Sequence, residues 1–130
     1  MPHLRFNITR PLTLQEKTDF AEWVIKQFGK DMETTTDHIG IIIHACEMGD
    51  LHSGIGRIEE PEKGAVFLNM DIRKGRTLEQ KRKLIPSIME EIEQRWCIPV
   101  KNMHVALTEH DGEDFNFYEG TMKTWSSQEA

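Results

Sequence analysis

Setting residue n against residue n+64 aligns the chain with itself, without gaps, from Leu4 to about Gly56. A chain that spells one order of elements twice has few folds open to it. Leu4 meets Leu68, Ile8 meets Ile72, and Thr13-Leu14-Gln15-Glu16-Lys17 meets Thr77-Leu78-Glu79-Gln80-Lys81. The identities are few, and the repeat rests on the physical pattern they carry. Leu4, Phe6 and Ile8 alternate with polar residues, as do Leu68, Met70 and Ile72, which is the period of a half-buried strand. Thr13 with Glu16, and Thr77 with Gln80, have capping-box spacing, in which hydroxyl and N3 side chain satisfy orphan backbone N–H groups. Phe20, Ala21, Val24, Ile25 and Phe28 then recur at helical spacing, and Leu84, Ile85, Ile88, Met89 and Ile92 trace the same stripe.

Second strands are predicted over Ile39-Gly40-Ile41-Ile42-Ile43 and Met103-His104-Val105-Ala106-Leu107. Each half is then a strand-helix-strand unit with parallel strands and a right-handed crossover. The expected fold is α/β in the two-layer α+β sense: duplicated β-α-β units form a four-stranded sheet with two helices on one face. One domain spans residues 1–130, with repeats at about 2–58 and 66–122. Pro86 falls inside the second helix, where it removes one backbone bond and usually kinks the helix. The Gly- and Asp-rich segments 46–58 and 110–122 are expected to form short hairpins or arms, and the tail from Lys123 to be loose beyond Trp125.

Composition narrows the partners. A 130-residue chain that is 38% hydrophobic and 29% charged suits a thin fold whose free sheet face is shared with other subunits. Three such sheets around an axis would cover that face, so a homotrimer is expected. A net charge of -6 argues against nucleic acid, whose phosphates need a surplus of Lys and Arg. Met1-Pro2-His3-Leu4-Arg5 lacks the apolar core of a signal peptide and no run reaches membrane-span length, so a cytoplasmic protein without membrane contact is expected. Cys46 and Cys97 form no CxxC pair and read as ordinary semi-buried thiols. His38 with His104, and His44 with His110, sit near strand ends without metal-ligand spacing, so neither metal nor cofactor is expected.

Four residues carry the chemistry that remains. Pro2 follows the initiator Met, and removal of Met1 would leave a free secondary amine at the head of an apolar strand. Such an amine titrates near neutral pH, lowered by apolar walls and raised by a carboxylate, and so serves as acid or base. Arg73-Lys74-Gly75-Arg76 leads from the third strand into the capped second helix. Strand ends face ligand crevices in such folds, and a helix N-terminus favours a carboxylate, which the planar Arg fork also matches. The same residues also fit a solvated basic turn. Thr9 and Leu12 occupy the equivalent first-half positions, so only the second half is built for an anion. A pseudo-two-fold between the repeats would run homologous strands antiparallel and bring Pro2 to Arg73. Asp37, just before the second strand, reaches the Pro2 end to position the amine or a water, or caps its own loop. Glu109, Asp111, Glu113 and Asp114 form an acidic arm, either a pocket cover or, preferably, a solvated run. Phe115, Phe117, Tyr118 and Trp125 are expected to pack against a neighbour rather than wall a pocket.

On Pro2-His3-Leu4-Arg5-Phe6, Arg73-Lys74-Gly75-Arg76-Thr77 and Ile98-Pro99 with Met103-His104-Val105-Ala106-Leu107, the chain resembles the tautomerase superfamily over nearly its whole length. That superfamily comprises trimers of duplicated β-α-β units with an amino-terminal catalytic proline. The second half looks most like the malonate semialdehyde decarboxylase group, and the Arg-x-x-Arg spacing looks like the cis-3-chloroacrylic acid dehalogenase group. The resemblance implies Arg73 and Arg76 as carboxylate binders and, by the decarboxylase pattern, Asp37 as partner of Pro2. Phe28 and Leu107 stand where the dehalogenase group has a catalytic histidine and tyrosine, so hydrolytic dehalogenation is not expected. The preferred reading is a tautomerase or isomerase acting on a 2-oxo or 2-hydroxy-dienoic acid. A 3-oxo acid decarboxylase and a non-enzymatic trimeric binding protein are the alternatives.

Overall fold

The alternation in each half forms the strands it predicts. The computed structural model describes residues 2–55, 57–118 and, for the backbone alone, 120–121. Strand β1 (His3–Thr9) leads to helix α1 (Leu14–Asp31) and strand β2 (Gly40–Cys46); strand β3 (Val66–Arg73), helix α2 (Leu78–Trp96) and strand β4 (Met103–His110) repeat the order. A two-residue hairpin, β5 (Asn116–Phe117) with β6 (Gly120–Thr121), follows. The sheet order is β2-β1-β3-β4, parallel within each unit and antiparallel where β1 meets β3 at the centre. This is the duplicated β-α-β two-layer fold expected.

Both capping boxes form. The Glu16 N–H donates to Thr13 Oγ1 at 3.1 Å and the Thr13 N–H to Glu16 Oε1 at 2.9 Å; Thr77 and Gln80 repeat the exchange at 3.1 and 2.8 Å. Each cap is worth about 1 kcal/mol of helix stability. Leu4, Phe6 and Ile8 from β1 and Val66, Leu68, Met70 and Ile72 from β3 are buried with Phe20, Val24 and Phe28 of α1 and Leu84, Ile88 and Ile92 of α2. One sheet face therefore makes the core with both helices. The alternate residues, among them His3, Arg5, Phe67, Asn69 and Asp71, point to the other face.

Helix α2 runs through Pro86, as its apolar stripe predicts, and Pro86 lies on the exposed side of the helix. Three expectations are corrected. Strands β2 and β4 each run three residues further than predicted, so Glu109 and His110 belong to β4 rather than to an arm. Glu109 is ion-paired with Lys81 and only partly exposed, not a solvated charge. The stretch after β2 holds no strand among its described residues; a turn closes there with the Asp50 N–H donating to the Glu47 carbonyl at 3.1 Å. The expected tail, Trp125 included, lies outside the described residues. Cys46 is buried and Cys97 exposed, both as free thiols. Among the described residues no helix is long and apolar enough to cross a membrane.

Candidate active site

The antiparallel seam positions the site. His3 pairs with Asp71 and Leu4 with Met70, so the Pro2 end of β1 lies beside the end of β3 that carries Arg73. Pro2 is buried, and its carbonyl accepts the Gly40 N–H at 2.9 Å, which ties it to the start of β2 as well. Gly40 suits that junction, since a Cβ there would stand 3.1 Å from the His3 ring. With Met1 attached, the Pro2 nitrogen is a tertiary amide without basicity, and removal of Met1 would expose it as an amine.

Beyond Arg73 the chain must turn at once into α2. Gly75 supplies the turn with φ 114, a conformation open to glycine, and the Lys74 N–H donates to the His110 carbonyl at 2.8 Å. Lys74 Nζ also pairs with Asp111 at 3.2 Å, so the basic loop is fixed to the end of β4. Arg73, Lys74, Gly75, Arg76 and Gln80 then line a cavity of about 290 Å³ with Met32 and Glu33, which directly follow α1. Arg76 is the unusual member. It is half-buried, and its Nη2 is fully buried without a hydrogen-bond partner. Burial, then the charge of Arg73, pushes the Arg76 guanidinium below its ordinary pKa, while Glu33 opposes the shift. An arginine still remains charged at neutral pH. Two cations and an unused donor in one concave site call for an anion, and a planar carboxylate fits.

The four residues singled out from sequence are therefore not equally placed. Arg73 and Arg76 share the cavity. Pro2 is beside it through the β1/β3 register, though it does not line the cavity. Asp37 is exposed in the loop before β2, three residues from Gly40, and does not line the cavity either. Glu33, in a left-handed conformation with φ 52, was not predicted; nothing in its sequence context marks it. Phe28 is a core residue.

On the other sheet face, the same end holds a second cavity of about 420 Å³, lined by His3, Asp71, His110, Asp114, Phe115 and Asn116. Phe115 is buried there, its ring edge-on to His3 at 5.9 Å, so it walls a pocket rather than waiting for a neighbour. Phe117 and Tyr118 are exposed. Asp71 and His110 were missed as site residues. The available signal was the outward place of Asp71 between inward Met70 and Ile72.

The fold has close likenesses among solved structures. A member of the cis-3-chloroacrylic acid dehalogenase family is 22% identical, with TM-score 0.78, covering 92% of this chain and 82% of that one. A malonate semialdehyde decarboxylase inhibited by 3-bromopropiolate is 20% identical, with TM-score 0.72 and coverage of 88% and 87%. A fused 4-OT, a symmetric trimer, is 19% identical, with TM-score 0.75 and coverage of 91% and 93%. No curated protein sequence matches the chain. The family model described as tautomerase enzyme matches residues 52–118, just over half of the chain, and the chain belongs to that family.

Proposed function

We propose that this tautomerase-family chain is an isomerase that moves a proton between carbon and oxygen in a 2-oxo or 2-hydroxy-dienoic acid. Pro2, freed by removal of Met1, is the acid/base, and Arg73 and Arg76 hold the substrate carboxylate. The supporting observation is the buried Arg76 Nη2 without a partner, in a cavity shared with Arg73 and beside the Pro2 end of the sheet. Apolar burial of Pro2 and two nearby cations favour a neutral amine, which is the form that takes a proton. A homotrimer, as in the fused 4-OT, would cover the outer sheet face.

The second reading is decarboxylation of a 3-oxo acid, with a cationic Pro2 polarising the carbonyl and Asp37 holding it charged. It draws on the short loop from Asp37 to Gly40, whose N–H binds the Pro2 carbonyl. The exposure of Asp37 makes it the weaker reading. Assaying chain freed of Met1 on one enol acid and one 3-oxo acid separates the two. Turnover of the enol acid alone supports isomerisation, and turnover of the 3-oxo acid alone overturns it.

A further inference from the structure

Three strands of the outer sheet face each contribute one member of a polar chain at the Pro2 end. His110, the last residue of β4, presents Nε2 to Asp71 Oδ1 of β3 at 2.9 Å. The other carboxylate oxygen of Asp71 is paired with Arg5 Nη2 of β1 at 3.1 Å. The second ring nitrogen of His110, Nδ1, stands 3.9 Å from Asp114 Oδ2, too far for a hydrogen bond. The side chain is 31% exposed and lines the 420 Å³ cavity that begins at His3, the residue after Pro2.

A carboxylate that accepts from one ring nitrogen sets the tautomer and leaves the other nitrogen as the base. Asp71 does this at Nε2, and Arg5 on its far oxygen keeps the carboxylate turned toward the ring. The edge of Phe115 at 5.5 Å and the bond from the Lys74 N–H to the His110 carbonyl fix the ring and its backbone. The result is an oriented imidazole with a partly exposed lone pair aimed into a cavity, the arrangement of a general acid/base. Arg73 is the register partner of His110 across β3 and β4, so the ring stands at the same end of the sheet as the basic cavity.

We propose that His110 is a second proton-transfer group of this site, acting through Nδ1, with Asp71 and Arg5 as positioning residues; the proposal rests on the isomerase reading. In the step, the Pro2 nitrogen takes the 2-hydroxyl proton of the dienoic acid and the electron pair moves through the conjugated system. The terminal carbon takes a proton from Nδ1–H of the imidazolium. Pro2 then releases its proton to water and His110 regains one from water, so no proton is gained or lost. The charged and titratable groups around the ring are His3 and Arg5 on β1, Asp71 and Arg73 on β3, and Asp114 after β4.

The test uses the full chain freed of Met1, assayed on a 2-hydroxy-dienoic acid across pH. His110→Gln is expected to lower kcat by about 10²–10⁴-fold, with little change in KM, and to remove one limb of the pH profile. Asp71→Asn is expected to shift that limb and lower kcat less. Imidazole added to His110→Ala is expected to restore part of kcat, which a ring with a purely structural role would not allow. Wild-type kcat and an unchanged pH profile in His110→Gln overturn the proposal. An inactive wild type overturns the isomerase reading instead. If His110→Gln does not fold, nitrogen NMR of the wild-type ring decides: a neutral ring protonated at Nδ1 rather than Nε2 overturns the proposal.

Discussion

The N–H of Gly40 donates to the carbonyl oxygen of Pro2 at 2.9 Å, which ties the head of the central strand to the edge strand that Asp37 leads into. Any action of Asp37 on Pro2 must pass across this junction, and Asp37 itself is exposed.

Asp37→Asn therefore separates the two enzyme readings. For an isomerase, kcat is expected to fall by less than about tenfold and the basic limb of the pH profile to stay in place. Loss of the group that holds a working proton would instead cost about 10²–10⁴-fold. Steady-state kinetics across pH, with the oligomer checked by light scattering, measure the difference. An inactive Asp37→Asn that still assembles and binds ligand sinks the isomerase mechanism.

Arg76→Met keeps the stem of the side chain and removes the charge. If Arg76 binds carboxylate, KM is expected to rise about 10–100-fold, the equivalent of about 1.5–3 kcal/mol for a hydrogen bond to a charged group. The thermal midpoint is expected not to fall, because the lost Nη2 has no partner to leave behind. Arg76→Lys is expected to recover only part of the affinity, since an ammonium lacks the planar fork. An unchanged KM in Arg76→Met would place the carboxylate elsewhere.

Acid stability tests the first capping box. The Thr13 N–H first of all, with the Thr13 hydroxyl, Trp96 and Arg10, holds the Glu16 carboxyl below its ordinary pKa. A carboxylate depressed in the folded state stabilises above its unfolded pKa, near 4.3, and that contribution is lost as pH falls through the folded value. Denaturant unfolding should therefore show a stability difference between native chain and Glu16→Gln at pH 7 that narrows by pH 3. A difference independent of pH would refute the link.

Assembly is the fourth prediction. The outer sheet face leaves Ile42 56% exposed in the middle of β2, beside polar Arg5 and Asn7. A 15.1 kDa chain is expected to scatter light as a trimer of about 45 kDa at micromolar concentration. A stable monomer would count against both the assembly and the shared sheet face.

Periodic and local features carried the fold by themselves. Alternating Leu4, Phe6 and Ile8, the stripe from Phe20 to Phe28 and the paired capping boxes are short-range patterns, legible because strand, helix and cap are set by neighbours in sequence. Arg73 and Arg76 were legible for the same reason, since a strand end and a capped helix bracket them. The strand ends were not, because hydrogen bonding to a partner strand extended β4 to His110 through polar residues. Only the tertiary structure decided which groups meet. Asp71 and His110 stand 39 residues apart, and β3/β4 pairing alone puts them at 2.9 Å. Glu33 faces Arg76 because α1 ends over the β3–α2 turn, which no residue of either segment announces. Asp37 had the right place in the sequence, yet its loop leaves the side chain in water, since burial is a property of the packed chain and not of the motif.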